Sequence, residues 1–387
     1  MRNALSKKIV DIEPSGIRKF FDVVSEIPDA ISLGVGEPDF DTPWNVREEG
    51  IYALEKGRTF YTSNAGLKKL RQEISRYVAR KYDTQYDPMK QVLVTVGGSE
   101  AIDVALRCMV DPGDEVLIPQ PSYVSYLPCA VMADAVPVFI NLKEENQFKL
   151  TKEELLEHIT DKTKILIMPF PNNPTGAIMT REELMELVPV IIEKDLYVIS
   201  DEIYSELTYG DNKHCSIASL PGMKERTIMI NGFSKAFAMT GWRLGYACGP
   251  AEIIKQMIKL HQYAIMCAPT NSQFAAVEAL RNCDTEVEKM VTAYDQRRRF
   301  LLHELKSMGI DCFEPFGAFY IFPSIKKFGM TSDEFASRLL EDQKLAVVPG
   351  TAFGDCGEGF LRISYAYSID NLKQGLERIE KFINTLK

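Results

Sequence analysis

The feature that most constrains the fold is a series of short apolar segments in the middle of the chain, separated by turns and helical segments. Six of these segments are predicted to be strands, and they span residues 91–97, 116–119, 135–142, 164–170, 196–200 and 227–230. Short apolar runs rich in β-branched residues and bounded by turns are typical of buried strands. Because predicted helices alternate with them, we expect an α/β fold, with the two ends of the chain meeting in a smaller lobe.

Length and charge exclude several classes of protein. The 387 residues are enough for a large core and for two domains. A net charge of −9, with no long basic run, argues against binding to nucleic acid or to an anionic membrane. The first ten residues lack the apolar core of a signal peptide, and no apolar run is long enough to span a bilayer.

The cysteines and histidines indicate neither a disulfide framework nor a zinc site. Eight cysteines and four histidines are scattered along the chain, and no two cysteines form a C-x-x-C pair. Scattered cysteines of this kind are typical of reduced thiols. We therefore expect a cytoplasmic protein without a bound metal.

The segment from Asn231 to Tyr246 carries the strongest chemical signal. Lys235 lies among small and apolar residues, where loss of hydration favours the neutral amine, which can form an imine with an aldehyde. Ser234 and Arg243 offer hydroxyl and guanidinium donors that suit a phosphate. An isolated Ser-Lys pair would more simply be an exposed loop lysine, but the whole segment points to pyridoxal phosphate.

Residues 234–245, Ser-Lys-Ala-Phe-Ala-Met-Thr-Gly-Trp-Arg-Leu-Gly, closely resemble the lysine motif of class I/II aminotransferases. This family belongs to the fold-type I group of pyridoxal-phosphate enzymes, and further matching segments recur in the family's order along nearly the whole chain. The resemblance implies a large cofactor-binding domain over residues 45–285, with a mostly parallel sheet flanked by helices. It also implies a smaller, discontinuous α/β domain formed by residues 1–44 and 286–387.

A glycine turn between a strand and a helix predicts an anion site. Gly98, Ser99 and Glu100 follow the strand at 91–97, and the free N–H groups at a helix N-terminus attract negative charge. Many turns of this type bind nothing, but beside Ser234 and Arg243 this one would complete a phosphate site. Because a carboxylate is out of place there, we expect the Glu100 side chain to point away and the backbone amides to bind.

Two polar positions at the ends of predicted strands are assigned to the cofactor ring. Asn173 lies in a Pro-Asn-Asn-Pro turn that presents its amide rigidly, and Asp201 ends a buried strand, where α/β sheets place their ligands. A helix N-cap would also explain Asp201, with Tyr204 packed nearby. The resemblance instead pairs Asp201 with the ring nitrogen, Tyr204 and Asn173 with the 3-oxygen, and Asn173 also with the substrate carboxylate.

Four further residues are assigned by the resemblance alone. Tyr123 would stack on the ring, although a core tyrosine is equally consistent with its spacing. Gly36 would contact the substrate carboxylate through its backbone, and Arg362 would bind that carboxylate with two donors. For Arg362, which interrupts an apolar strand, an internal ion pair remains an alternative. Tyr61 would reach the cofactor phosphate of the neighbouring subunit, which implies a homodimer.

These assignments predict an aminotransferase that moves the amino group of an aspartate-type or aromatic L-amino acid to a 2-oxo acid such as 2-oxoglutarate. Lys235 would be the general base, and the kinetics would be ping-pong. The motifs are similar to those of aspartate, aromatic and N-acetyl-diaminopimelate aminotransferases. One alternative is a cysteine-S-conjugate β-lyase on the same scaffold. A non-enzymatic pyridoxal-phosphate-binding regulatory module is a more remote alternative, because the sequence shows no helix-turn-helix pattern.

Overall fold

The computed structural model describes residues 2, 4–14, 17 and 27–386. The sequence predicts a helical apolar pattern over residues 3–27, and within it Lys7–Asp11 forms a short helix. Residues 3, 15, 16 and 18–26 of that predicted segment lie outside the described residues.

The centre of the molecule is a seven-stranded sheet that confirms the predicted α/β class. Its strands, in chain order, are β2 (Val92–Thr95), β3 (Glu115–Gln120), β4 (Val136–Asn141), β5 (Thr163–Met168), β6 (Tyr197–Asp201), β7 (Thr227–Gly232) and β8 (Gly245–Cys248). In space they follow the order β2-β8-β7-β6-β5-β3-β4. All six predicted strands are present, with ends that differ by up to two residues.

The sheet is mostly parallel, and the exception is a strand that the sequence patterns did not predict. β3, β4, β5, β6 and β7 pair in parallel, whereas β8 runs antiparallel between β2 and β7. β8 holds only four residues, between two glycine-containing turns, so its apolar run is too short to stand out. Because β8 reverses direction, β2 ends at the same edge of the sheet as the parallel strands.

Helices cover both faces of this sheet. The longer helices of the chain are Trp44–Glu55, Lys68–Tyr82, Gly97–Met109, Arg181–Glu193, Ala251–Ala264, Thr270–Asn282, Asp284–Ser307, Ser332–Gln343 and Ile369–Thr385, and shorter ones are Tyr126–Met132 and Lys152–His158. Of these, Ser332–Gln343 and Ile369–Thr385 pack against the smaller sheets instead of the central one. Residues of β5 alternate between two cores: Ile165 and Ile167 pack on one face, and Leu166 packs on the other. Burial on both faces explains why these strands read as continuous apolar runs.

Two small sheets bring the ends of the chain together. β1 (Ile31–Ser32) pairs in parallel with β10 (Leu345–Ala346). β9 (Tyr320–Ile321), β11 (Val348–Pro349) and β12 (Leu361–Ser364) form an antiparallel sheet in the order β11-β12-β9. We propose that residues 1–44 and 286–387 form the discontinuous smaller domain beside 45–285, and the pairing of β1 with β10 supports this division.

The loop after β5 is held against the segment that leads into β9. The Gly317 N–H donates to the Gly176 carbonyl at 2.9 Å. A Cβ atom on Gly176, where φ is +75°, would lie 2.4 Å from a Pro315 carbon and 2.9 Å from the carbonyl oxygens of Gly317 and Tyr320. Only glycine permits this close approach. The contact places the Asn173 turn beside the strands that carry Tyr320 and Arg362.

Within the described part of the chain, no helix combines the length and the apolar character needed to cross a membrane. The same residues contain no cluster of His, Cys, Asp and Glu side chains that could hold a metal ion. All eight cysteines are free thiols.

Candidate active site

A cavity of about 540 Å³ opens at the carboxyl edge of the central sheet. Loops that follow β2, β3, β5, β6 and β7 meet there, as expected for ligand sites in open α/β sheets. All predicted site residues except Glu100 and Tyr61 line this cavity: Gly36, Gly98, Ser99, Tyr123, Asn173, Asp201, Tyr204, Ser234, Lys235, Arg243 and Arg362.

The half-buried Lys235 has the properties of a nucleophilic amine. Its Nζ donates to the carbonyl oxygen of Gly36 at 2.6 Å and lies over the ring of Tyr204. Burial lowers the pKa of Lys235 to about 8; Glu37 opposes this shift, and the positive charge of Arg362 adds to it. A substantial fraction of the amine is therefore neutral near pH 8, as imine formation with an aldehyde requires.

Asp201, the last residue of β6, is a buried carboxylate with no cationic hydrogen-bonding partner among the described residues. Its Oδ2 accepts from the Tyr126 hydroxyl at 2.8 Å, and its Oδ1 accepts from the Ile203 N–H at 3.2 Å. Burial raises the pKa of Asp201 to about 6, although the hydrogen bond from Tyr126 opposes this shift. Because an unpaired buried charge is costly, the site favours a ligand that brings a positive group, such as a protonated pyridine nitrogen.

The start of helix Gly97–Met109 provides an anion-binding turn beside Arg243. The N-cap residue is Val96, whose side chain cannot accept a hydrogen bond from the first turn. A Cβ atom on Gly97, where φ is +78°, would lie 2.9 Å from a terminal nitrogen of Arg243, so the guanidinium rests against this glycine. Backbone N–H groups, a guanidinium and the neighbouring Ser234 hydroxyl are the donors that a phosphate requires.

Arg362, on β12, is buried and forms no ion pair with any acidic residue that the structure describes. Its side chain donates to the Asn173 Oδ1 atom at 2.9 Å and to the Gly34 carbonyl at 2.5 Å, and it lies over the Tyr320 ring. Its Nε has no hydrogen-bond partner among the residues that the structure describes. The internal ion pair considered from sequence is therefore absent there, and the guanidinium suits a carboxylate ligand.

Two tyrosines in the cavity wall were not predicted from sequence. Tyr126 donates to Asp201, and the Tyr320 hydroxyl is 2.8 Å from the Tyr204 hydroxyl. Tyr126 stands three residues after Tyr123, so both tyrosines are evident in the sequence. Their spacing alone does not indicate which of the two rings faces the Asp201 carboxylate. Tyr320 is one of the two buried residues of β9, and only the pairing of β9 with β12 places it beside Arg362.

Glu100 and Tyr61 lie outside the cavity wall. The Glu100 carboxylate turns back from the anion-binding turn, accepts from the Val96 N–H at 2.5 Å, and pairs with His261. Its side chain thus points away, as the sequence predicted. Tyr61 is 78% exposed on the surface of the single chain, where its predicted role in a neighbouring subunit remains a prediction.

Comparison with known proteins agrees with this geometry. Residues 28–379 match the family model described as aminotransferase class I and II. The chain is 46% identical to an aspartate aminotransferase of Pyrococcus abyssi and 43% identical to aromatic-amino-acid aminotransferase 2 of Thermococcus litoralis, each over 99% of both chains. The solved structure of a Thermus thermophilus aspartate aminotransferase with maleate is 38% identical, with a TM-score of 0.94 over 98% of this chain and 100% of that one.

The raised pKa of Asp201 predicts a pH-dependent effect of Asp201→Asn in protein stripped of cofactor. The pKa of Asp201 is about 6 in the folded state, whereas the usual pKa of an aspartate is 3.8. The unfolded chain therefore loses this proton first, and the free energy of unfolding falls as pH rises from about 4 to about 6. At pH 8 the amide should remove a penalty of roughly 3 kcal/mol. We expect the thermal midpoint of Asp201→Asn, relative to wild type, to be higher at pH 8 than at pH 4.5.

Asp114→Asn is the matched control for this measurement. Lys164 donates to the Asp114 carboxylate and lowers its pKa, so loss of that charge should reduce stability at pH 8. If the thermal midpoint of Asp201→Asn differs from that of wild type by the same amount at pH 8 and at pH 4.5, Asp201 is not a destabilising buried carboxylate.

Proposed function

The chain belongs to the class I and II aminotransferase family, whose members use pyridoxal 5'-phosphate, and from this premise we propose its reaction. It transfers the amino group of an aspartate-type or aromatic L-amino acid to a 2-oxo acid such as 2-oxoglutarate, by a ping-pong mechanism. The observation that carries the proposal is the convergence of Lys235, Asp201 and Arg362 in one cavity beside an anion-binding turn. The aspartate and aromatic relatives support both donor types almost equally.

The donor set of the cavity fits the cofactor. Its phosphate would be held by Gly98, Ser99, Ser234 and Arg243, and its ring nitrogen by Asp201. Its 3-oxygen would be held by Tyr204 and Asn173, and its ring face by Tyr123. When bound, pyridoxal phosphate supplies an electron sink that takes up the electron pair left on the substrate α-carbon.

The residues of the chain supply binding and proton transfer. Arg362 binds the substrate α-carboxylate, with Asn173 and the Gly36 backbone beside it. Lys235 Nζ, whose pKa is lowered by burial to about 8, would accept the α-proton as a base and release it again as an acid. Asp201 holds a positive charge on the ring nitrogen. Because Arg362 recognises the carboxylate common to amino and 2-oxo acids, the two substrates use the site in turn, which is the basis of ping-pong kinetics.

Neither alternative is favoured by the comparisons. The relatives described above are named as aminotransferases, which supports amino-group transfer over β-elimination and over a non-enzymatic regulatory role. A β-lyase would release pyruvate and ammonia from a cysteine S-conjugate without a 2-oxo acid, so the two reactions are separable by their products.

The direct test is the absorption spectrum of the cofactor-loaded protein after addition of a single amino acid without any 2-oxo acid. Aspartate, phenylalanine or tyrosine should shift the visible band, and 2-oxoglutarate should reverse the shift. Lys235→Ala should reduce the rate of this exchange by at least about 100-fold, because it removes the general base. Pyruvate and ammonia release in place of the reversible shift would identify a lyase, and substantial turnover by Lys235→Ala would contradict the assignment.

Arg362→Lys should weaken the binding of substrate far more than the binding of cofactor. Lysine keeps the buried positive charge but loses the second donor and the planar geometry that bind a carboxylate. We expect the dissociation constant of aspartate or phenylalanine to rise by at least about tenfold, from loss of one charge-assisted hydrogen bond, while that of pyridoxal phosphate changes little. The exposed Arg338→Lys serves as the control. Loss of cofactor affinity in Arg362→Lys would show that its role is misassigned.

We also propose that the enzyme is a homodimer in which Tyr61 of the partner subunit completes the phosphate site. The support is a group of large apolar side chains that are exposed on the single chain: Trp44, Phe60, Tyr61 and Tyr263 are each at least 60% exposed. Exposed aromatic residues of this kind are typical of a protein interface. The cytoplasmic location expected from the sequence remains a prediction.

Mixed dimers provide the test of the Tyr61 proposal. Lys235→Ala and Tyr61→Ala chains are each expected to have impaired sites as homodimers. In a mixed dimer, the site that retains Lys235 receives an intact Tyr61 from the partner subunit, so mixing should restore up to one normal site per dimer. Activity that stays at the average of the two homodimers, or a monomer in sedimentation, would contradict this arrangement.

A further inference from the structure

Glu100 is a carboxylate in the first turn of the helix whose N-terminus forms the proposed phosphate site. Its side chain is only 12% exposed. A carboxylate so close to a bound phosphate repels it. The presence of Glu100 at this position therefore calls for a structural explanation. Its Oε2 accepts a hydrogen bond from the N–H of Val96 at 2.5 Å. Glu100 therefore folds back across the start of its own helix.

His261 fixes the other oxygen of this carboxylate. It lies on helix Ala251–Ala264, is fully buried, and its Nδ1 is 2.5 Å from Glu100 Oε1. Its Nε2 has no hydrogen-bond partner in the described part of the chain. Burial of an imidazole with one nitrogen unsatisfied is costly, and the bond to Glu100 is the polar contact that this position provides. The pair connects the two helices directly behind the anion-binding turn.

The position of Val96 explains what this connection does. Val96 is the N-cap of helix Gly97–Met109 and has no side-chain acceptor for the helix N-terminus. The turn is fixed on its strand side by the Thr95 hydroxyl, which donates to the Gly97 carbonyl at 2.9 Å. Glu100 fixes it on the helix side by accepting from Val96, and this leaves the Gly98 and Ser99 N–H groups without a competing capping side chain.

We propose that Glu100, oriented by His261, is a positioning residue that holds the turn from Val96 to Ser99 in the conformation that binds the cofactor phosphate. Glu100 does so without contacting the phosphate through its carboxylate. This inference rests on the proposed function, because it deepens the phosphate site of that function. It differs from the sequence expectation, in which Glu100 contributed only a backbone amide.

The test compares the dissociation constants of pyridoxal phosphate and of pyridoxal, which lacks the phosphate. Glu100→Ala removes the acceptor for the Val96 N–H. It should raise the dissociation constant of pyridoxal phosphate by about tenfold, while that of pyridoxal changes little. Glu100→Gln retains an acceptor oxygen and should keep most of the preference for the phosphorylated form. His261→Phe should reduce that preference less than Glu100→Ala, because the carboxylate loses its orientation but not its bond to Val96.

A matched control is Glu154→Ala. Glu154 is also a buried carboxylate that accepts a backbone N–H, from Thr151, at the start of helix Lys152–His158, but it does not line the cavity. Glu154→Ala should leave the preference for pyridoxal phosphate over pyridoxal unchanged. Thermal stabilisation of the cofactor-free protein by inorganic phosphate gives a second readout, and Glu100→Ala should lose it.

Equal weakening of both ligands by Glu100→Ala would indicate general damage to the site and would overturn the proposal, as would no weakening of either. Loss of the preference in Glu100→Gln to the same extent as in Glu100→Ala would also overturn it, because the acceptor is then not the relevant feature. A wild-type protein that binds pyridoxal and pyridoxal phosphate equally would instead contradict the proposed phosphate site itself.

Discussion

The site depends on the burial of Asp201 and Arg362 and the partial burial of Lys235 in one cavity, where their hydrogen bonds to the described residues include no direct ion pair. Their partners are a carbonyl oxygen for Lys235, a hydroxyl and an N–H for Asp201, and an amide and a carbonyl for Arg362. Loss of hydration lowers the pKa of the lysine and raises that of the aspartate. A ligand with a cationic ring and an anionic carboxylate offsets this cost, so the same burial accounts for affinity and for the reactive amine.

The central sheet makes such burial possible. Helices on both faces protect its strands, and the antiparallel β8 brings the end of β2 to the edge where β3, β5, β6 and β7 also end. The proposed phosphate-binding turn, the Asn173 loop and Asp201 thus come from neighbouring elements of one sheet. Arg362 comes from a different sheet, which the contact between Gly176 and residues 315–320 holds against the first.

Much of the site could be predicted because its chemistry is local. A lysine in an apolar segment, a glycine turn after a strand and an acid at a strand end are each contained in a few consecutive residues. Tyr126 and Tyr320 could not be assigned in this way, because their roles depend on hydrogen bonds to Asp201 and Tyr204, which are 75 and 116 residues away in sequence. The buried partner of Glu100 is farther still, 161 residues along the chain.

The amino-acid sequence by itself determined the alternation of strands and helices and singled out Lys235 as the candidate imine-forming lysine, since both follow from short-range patterns of apolar residues and turns. It also determined the family, through motifs that need no knowledge of their neighbours. Only the tertiary structure decided the position of β8 between β2 and β7, the contacts of Arg362, and the link from His261 through Glu100 to Val96. These features arise from packing between distant segments, where side-chain direction and burial, and not residue type, select the partner.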